Sequence, residues 1–164
     1  MATSNLEAPA AATRQVISLP IDDGLTCLRG LSPQRLRFEL EYALERGSTA
    51  NSFLFDAGTD GEGQRQSALL VHPPGKAYEK AFLPALAGLL PAETTALKVV
   101  VGHVNPNRVA LLRDLAGLYP ELELVASNAG AKLLGELWSQ RKPAPPGQAV
   151  SYTHLRAHET RIHL

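Results

Sequence analysis

The sequence predicts an α/β fold built on a mixed sheet, and three observations carry that expectation. Short apolar runs punctuated by turn residues crowd the first half, as β-hairpins require. Strand-like and helix-like periodicities then alternate, in the order β-α-β-α-β-α. Between them lies one run, Leu97–Val101, that is almost wholly apolar and β-branched, the signature of a strand inside a parallel sheet.

The elements follow in order. Val16–Leu19 and Leu25–Leu28 flank Pro20-Ile21-Asp22-Asp23-Gly24, whose turn-forming residues predict a hairpin. In Arg35–Tyr42, Leu36, Phe38, Leu40 and Tyr42 alternate with Arg35, Arg37, Glu39 and Glu41, which predicts one strand with one buried face. Asn51–Asp56 and Ser67–His72 bracket the Gly- and charge-rich Ala57–Gln66 and predict a second hairpin. After Pro73-Pro74-Gly75, the residues Tyr78, Phe82, Leu86 and Leu89/Leu90 recur at helical spacing, and Pro84 predicts a kink or division of that helix. Leu97–Val101 reads as apolar on both faces. Asn105 is a capping residue and Pro106 suits the first helical position, so a helix opens there and runs to Leu118. Glu121–Ala126 is a further strand, and Ser127-Asn128 can cap a helix carrying Leu133, Leu134, Leu137 and Trp138.

Composition bounds the function. The 164 residues match one ordinary domain, and 45% hydrophobic residues suffice for a core. Sixteen basic residues balance 16 acidic ones. Nucleic-acid and anionic-membrane binders need a dense basic face, so neither partner class is expected. Residues 1–13 lack the basic start and apolar centre of a secretory signal and are expected to form a flexible N-terminus. No apolar run approaches the roughly 18 residues of a membrane span. These features predict a soluble, cytoplasmic protein with a globular unit at 14–141. Residues 142–149, beginning Lys142-Pro143-Ala144-Pro145-Pro146-Gly147, read as a linker. The single Cys27 excludes an internal disulfide and is expected to be a small buried hydrophobe.

Ligands of open α/β sheets bind at the carboxyl ends of the strands. Three loops qualify here: His72–Gly75, Gly102–Arg108 and Ser127–Gly130. The middle one sets His103, Asn105 and Asn107 at alternating positions before Arg108. A glycine-rich phosphate loop is missing from the sequence, so nucleotide binding has no motif support. Asn is a weak ligand beside a carboxylate, and Arg108 repels a cation. His103 and His72 each have an ordinary role open to them, as loop residues hydrogen-bonded to backbone.

Three stretches in one order, RLRFELEYALERGSTANSFLF (Arg35–Phe55), HPPGKAYEKAFLPAL (His72–Leu86) and GHVNPNR (Gly102–Arg108), resemble the N-terminal part of the flavodiiron proteins, or diflavin flavoproteins, of the cyanobacterial and photosynthetic branch. The resemblance runs from Gln15 to Trp138. It implies a metallo-β-lactamase-like αββα sandwich, of which this chain supplies the first half, followed in complete members by an FMN-binding flavodoxin-like domain and a flavin-reductase domain. Such proteins are NAD(P)H:oxygen-type oxidoreductases that reduce dioxygen to water as an electron sink, using di-iron and FMN, in homo- or hetero-oligomers. Their iron motif H-x-E-x-D-H aligns with His103-Val104-Asn105-Pro106-Asn107-Arg108, so only His103 survives as a metal ligand position. Asn105 and Asn107 replace carboxylates and Arg108 replaces an imidazole. His72 stands where relatives commonly carry an Asp that could support a ligand from behind. A di-iron pair needs anionic oxygens, so the resemblance implies a degenerate site that takes water, chloride or another anion near Arg108. Neither iron nor FMN is expected to bind this chain tightly, and the chain alone is expected to be inactive.

The last stretch, Val150–Leu164, carries His154, His158 and His163. Histidines at i and i+4 suggest a metal site. SYTHLRAHET instead resembles translated sequencing-adapter read-through, so 150–164 is expected to be non-native and outside the fold. Half a sandwich would also expose a sheet edge and an uncovered apolar face, which predicts aggregation or a dynamic collapsed state. A non-enzymatic α/β interaction module that pairs with a catalytically intact flavodiiron subunit is the alternative function.

Overall fold

Asp23 and Gly24 reverse the chain between β1 (Gln15–Asp22) and β2 (Leu25–Ser32), with Gly24 at φ +70 and Asp22 Oδ1 accepting from the Asp23 N–H at 2.8 Å. The ladder slips by one residue between Pro20 and Asp22, a bulge at the tip of the hairpin. Strand β2 pairs antiparallel along its length with β5 (Ser48–Phe55), and β5 pairs antiparallel with β6 (Ala68–Val71). This computed structural model describes residues 14–33, 37–38, 42–43, 47–56, 58, 67–139 and 150–151. The N-terminus expected to be flexible (1–13), most of 57–66, the segment expected to be a linker (142–149) and residues beyond 151 lie outside them.

From β6 onward the pairing turns parallel. β7 (Ala96–Val100) lies beside β6, and β8 (Glu121–Ala126) beside β7. The main sheet has the order β1-β2-β5-β6-β7-β8-β9, so each strand lies next to one that precedes it in the chain. The predicted mixed α/β architecture is therefore present, with an antiparallel half followed by a parallel half joined through helices.

Helix α1 (Glu79–Ala87) follows a short 3-10 turn at Lys76–Tyr78. Pro84 does not divide it: the helix continues to Ala87. Pro84 and Lys80, the residue whose carbonyl loses its intrahelical donor, are both exposed. Helix α2 (Pro106–Leu118) starts as predicted, with Asn105 Oδ1 accepting from the Arg108 N–H at 2.8 Å and Pro106 in the first turn. Helix α3 (Asn128–Ser139) is capped by Ser127, whose hydroxyl accepts from the Gly130 N–H at 3.1 Å. Arg113 of α2 reaches the end of α3, donating to the carbonyls of Leu137 and Trp138 at 2.8 and 3.1 Å with its guanidinium 5.4 Å above the Trp138 ring.

The two faces of the sheet differ. One face presents Leu28, Leu54, Leu70, Leu97, Val99, Leu122 and Leu124, all buried with Phe82 and Leu86 of α1, Val109, Leu112 and Leu115 of α2, and Leu134 and Trp138 of α3. The other carries Ile17 and Phe55, 39% and 40% exposed, among half-buried Leu19, Leu25, Phe53, Val71 and Val125. Cys27 lies on this face and is buried between its neighbours, as expected. Lys98 is exposed there and pairs with Glu123 at 3.4 Å, so β7 is not apolar on both faces. Only one side of β7 is packed to core density.

One further expectation needs correction. Arg35–Tyr42 is not one strand: β3 (Arg37–Phe38) and β4 (Tyr42–Ala43) pair antiparallel with each other, Phe38 opposite Tyr42, in a separate two-stranded sheet. Such a ladder preserves alternation on both arms, so period two alone cannot distinguish it from a straight strand. The first two residues of the stretch expected to be non-native, Val150–Ser151, form β9 and pair parallel with β8 through Val125↔Val150 and Ala126↔Ser151. An open strand edge offers unpaired backbone donors and acceptors to any extended segment, whatever its side chains.

Candidate functional site

The loops after β6 and β7 and the start of α2 meet the ends of β2 and β5 at a cleft of about 790 Å³. His72, His103, Asn105, Asn107 and Arg108, the residues singled out in the sequence, all line it. Ser127–Gly130, the third candidate loop, does not. The Ser127 hydroxyl and carbonyl instead cap α3.

Each side chain has a defined engagement. Arg108 sits in the first turn of α2 and turns back: Nη1 donates to the His103 carbonyl at 2.8 Å and Nη2 lies 3.2 Å from His72 Nε2. Arginine carries only donors, so His72 Nε2 must accept, which leaves the ring neutral with its proton on Nδ1. His72 is held in the left-handed region at φ 58, uncommon for any residue with a Cβ. Its N–H donates to the Val100 carbonyl at 3.0 Å and its carbonyl accepts from the Ser52 hydroxyl at 2.9 Å, so both sides of its backbone are fixed. Partial burial, then the charge of Arg108, then His103 hold the His72 imidazole below its usual pKa. Burial likewise lowers Arg108, whose Nε is buried without a hydrogen-bond partner.

The two asparagines act locally. Asn105 Oδ1 is committed to capping α2. The Asn107 amide lies against the backbone at Gly75, where an added Cβ would stand 2.4 Å from Nδ2. A side chain at position 75 would displace the Asn107 amide from this place.

Sequence reasoning missed the opposite wall. Arg14 stacks above the Tyr78 ring at 5.7 Å, and that ring covers Gly30, where an added Cβ would meet Cε1 at 2.7 Å. Ser32 and Asn51 complete that side. The Gly at position 30 within an apolar strand was the available signal, since glycine inside a strand marks a close approach. The cleft's described lining includes no carboxylate. Among the described residues, no three His, Cys, Asp or Glu side chains gather as a metal site requires. Lys76, beside the cleft, is neutralised by Asp114 at 2.6 Å and Glu79 at 2.9 Å, both of which raise its pKa.

No protein-family profile matches the chain. Diflavin flavoprotein A 6 of Nostoc sp. PCC 7120 is 42% identical over 118 residues, which cover 72% of this chain and 19% of that protein. Diflavin flavoprotein A 5 of the same organism is 35% identical over 151 residues, 90% of this chain and 23% of that one. Among solved structures, the metal-soaked Flv1 flavodiiron core of Synechocystis sp. PCC6803 superposes with a TM-score of 0.69 at 33% identity, covering 84% of this chain and 32% of that one. The chain belongs to the flavodiiron, or diflavin flavoprotein, family.

The flavodiiron fold also accounts for a more distant likeness. A mono-zinc metallo-β-lactamase from Pseudomonas aeruginosa superposes with a TM-score of 0.51 at 13% identity, a similarity of fold alone. The α/β architecture is thus metallo-β-lactamase-like, as the sequence predicts. The chain spans about a fifth of the length of the flavodiiron relatives it matches. None of the described helices is long and apolar enough to cross a membrane.

Proposed function

We propose that this chain supplies the first half of the lactamase-like domain of a cytoplasmic, oxygen-reducing flavodiiron electron-transfer protein, and that its half-site holds no iron pair. The family relationship supports the first part. One observation carries the second: the Arg108 guanidinium, at the position that aligns with the motif's last imidazole, bonds the His103 carbonyl and His72 Nε2 and so puts a fixed positive charge beside the one surviving ligand position. The donor set does not fit two irons. His103 contributes its carbonyl to Arg108, Asn105 is spent on the helix cap, Asn107 is a neutral amide, and no anionic oxygen lines the described cleft to offset the metal charge. What the cleft can accommodate is water, chloride or another small anion beside a fixed positive charge. FMN and the remaining ligand positions belong to parts of the family's architecture that this chain does not match.

Metal analysis of the purified chain, after incubation with ferrous iron under anaerobic conditions, tests the reading. Far less than one iron per chain is expected; two per chain would overturn it. The same donor set supports a second reading, in which the chain is a non-enzymatic module that pairs with a catalytically intact flavodiiron subunit. Oxygen consumption by the full-length protein, alone and mixed with a relative carrying an intact H-x-E-x-D-H motif, separates the two. Activity only in the mixture selects the partner role.

A further inference from the structure

Resting on the reading that no iron pair binds, we infer that Arg108 does the mechanical work of a bound ion, tying the loop after β6 to the loop after β7. The guanidinium is a planar fork whose two ends serve different segments: Nη1 holds the His103 carbonyl of its own loop, and Nη2 holds His72, 36 residues away in the chain. A metal ion joins loops in the same way, by taking donors from each.

The position is otherwise unfavourable for a cation. Arg108 lies in the first turn of α2, where the helix end is itself positive, and its Nε is buried and unpartnered. The partner is constrained as well. His72 keeps a left-handed backbone although it precedes a proline, and both of its backbone groups are pinned. Two unfavourable arrangements that meet in one contact indicate a contact that holds the cleft together. The tie also disfavours a metal, because it keeps a fixed positive charge beside His103, the one surviving ligand position.

Hydrogen exchange of the full chain, read by mass spectrometry, tests this. Arg108→Met, which keeps length and loses every donor, should speed exchange in residues 72–78 and 102–108 by on the order of tenfold while β2, β5 and β7 keep their protection. Lys98→Met, an exposed cation paired with Glu123 away from the cleft, is the control and should leave both loops unchanged. Wild-type exchange should be insensitive to a chelator and to added zinc. Loops as protected in Arg108→Met as in wild type would overturn the inference and leave the proposed function intact. A wild-type chain whose loops loosen on chelation, with iron bound stoichiometrically, would overturn the proposed function itself. If Arg108→Met loses protection throughout the sheet, Arg108→Gln decides: loosening confined to the two loops supports the tie, and unchanged loops overturn it. Nitrogen-detected NMR of wild-type His72 should find the proton on Nδ1; a proton on Nε2 refutes the contact.

Discussion

Replacing Ile17 and Phe55 together by lysine tests whether the uncovered face of the sheet drives self-association. A fully buried Ile or Phe side chain contributes about 1.5–3 kcal/mol. With Ile17 39% and Phe55 40% exposed, roughly two-fifths of that, about 0.6–1.2 kcal/mol each, is still available to a partner. A two-fold contact uses each residue twice, giving roughly 2.4–4.8 kcal/mol, or about 50- to 3,000-fold in the association constant. The half-buried Leu19, Leu25 and Phe53 on the same face add to this. Light scattering across a dilution series should find the wild-type chain associating and binding a hydrophobic dye. Ile17→Lys/Phe55→Lys should move the association midpoint to higher concentration by at least the lower of those factors. A wild-type chain that stays monomeric at every concentration would refute the reasoning, as would a double variant that associates equally well.

Two further outcomes follow from the cleft. Gly30→Ala places a Cβ 2.7 and 2.9 Å from Tyr78 ring carbons and 3.3 Å from the Ala50 carbonyl, an overpacking worth about 1–3 kcal/mol; the apparent urea midpoint, followed by Trp138 emission in dilute solution, should fall, and the effect should vanish in a Tyr78→Ala background. Because the folded chain holds the His72 imidazole below the unfolded value of 6.5, the unfolded chain binds more protons between the two values. Stability should therefore be fully present above about pH 6.5 and decline as pH falls through the lower folded value, and His72→Gln should flatten that part of the profile. Identical slopes in the two proteins would count against the neutral-ring assignment.

Local chemistry was legible where one residue decides the outcome. Asp23-Gly24 reverses the first hairpin, Asn105-Pro106 opens α2, and Ser127 caps α3, because caps and turns are satisfied within a few residues. Elements set by distant partners were not legible. The alternation in Arg35–Tyr42 fits a ladder folded on itself as well as a strand, and the pairing of β9 with the edge of β8 joins residues 25 positions apart. The site behaved likewise. The loops that build it were evident from their place after β6 and β7. That Arg108 folds back onto His72, and that Tyr78 covers Gly30, depends on contacts spanning 36 and 48 positions that no local pattern encodes. The reading of Lys98 failed for a related reason: a run of apolar residues signals an interior strand without saying whether both faces are covered.

The order of strands in the main sheet has a kinetic consequence. Because the strands of the main sheet are ordered in space as in the chain, with only the separate β3–β4 pair intervening between β2 and β5, each strand emerging from the ribosome can add to an edge already made, with no earlier strand to displace. The connections stay local: two turn residues join β1 to β2, the β3–β4 pair lies between β2 and β5, residues 56–67 join β5 to β6, and one α-helix lies in each later crossover, which favours rapid ordering of the growing sheet. The same geometry leaves the newest strand as the exposed edge at every stage, so the vulnerable surface travels with synthesis and stays open until the next segment arrives to seal it.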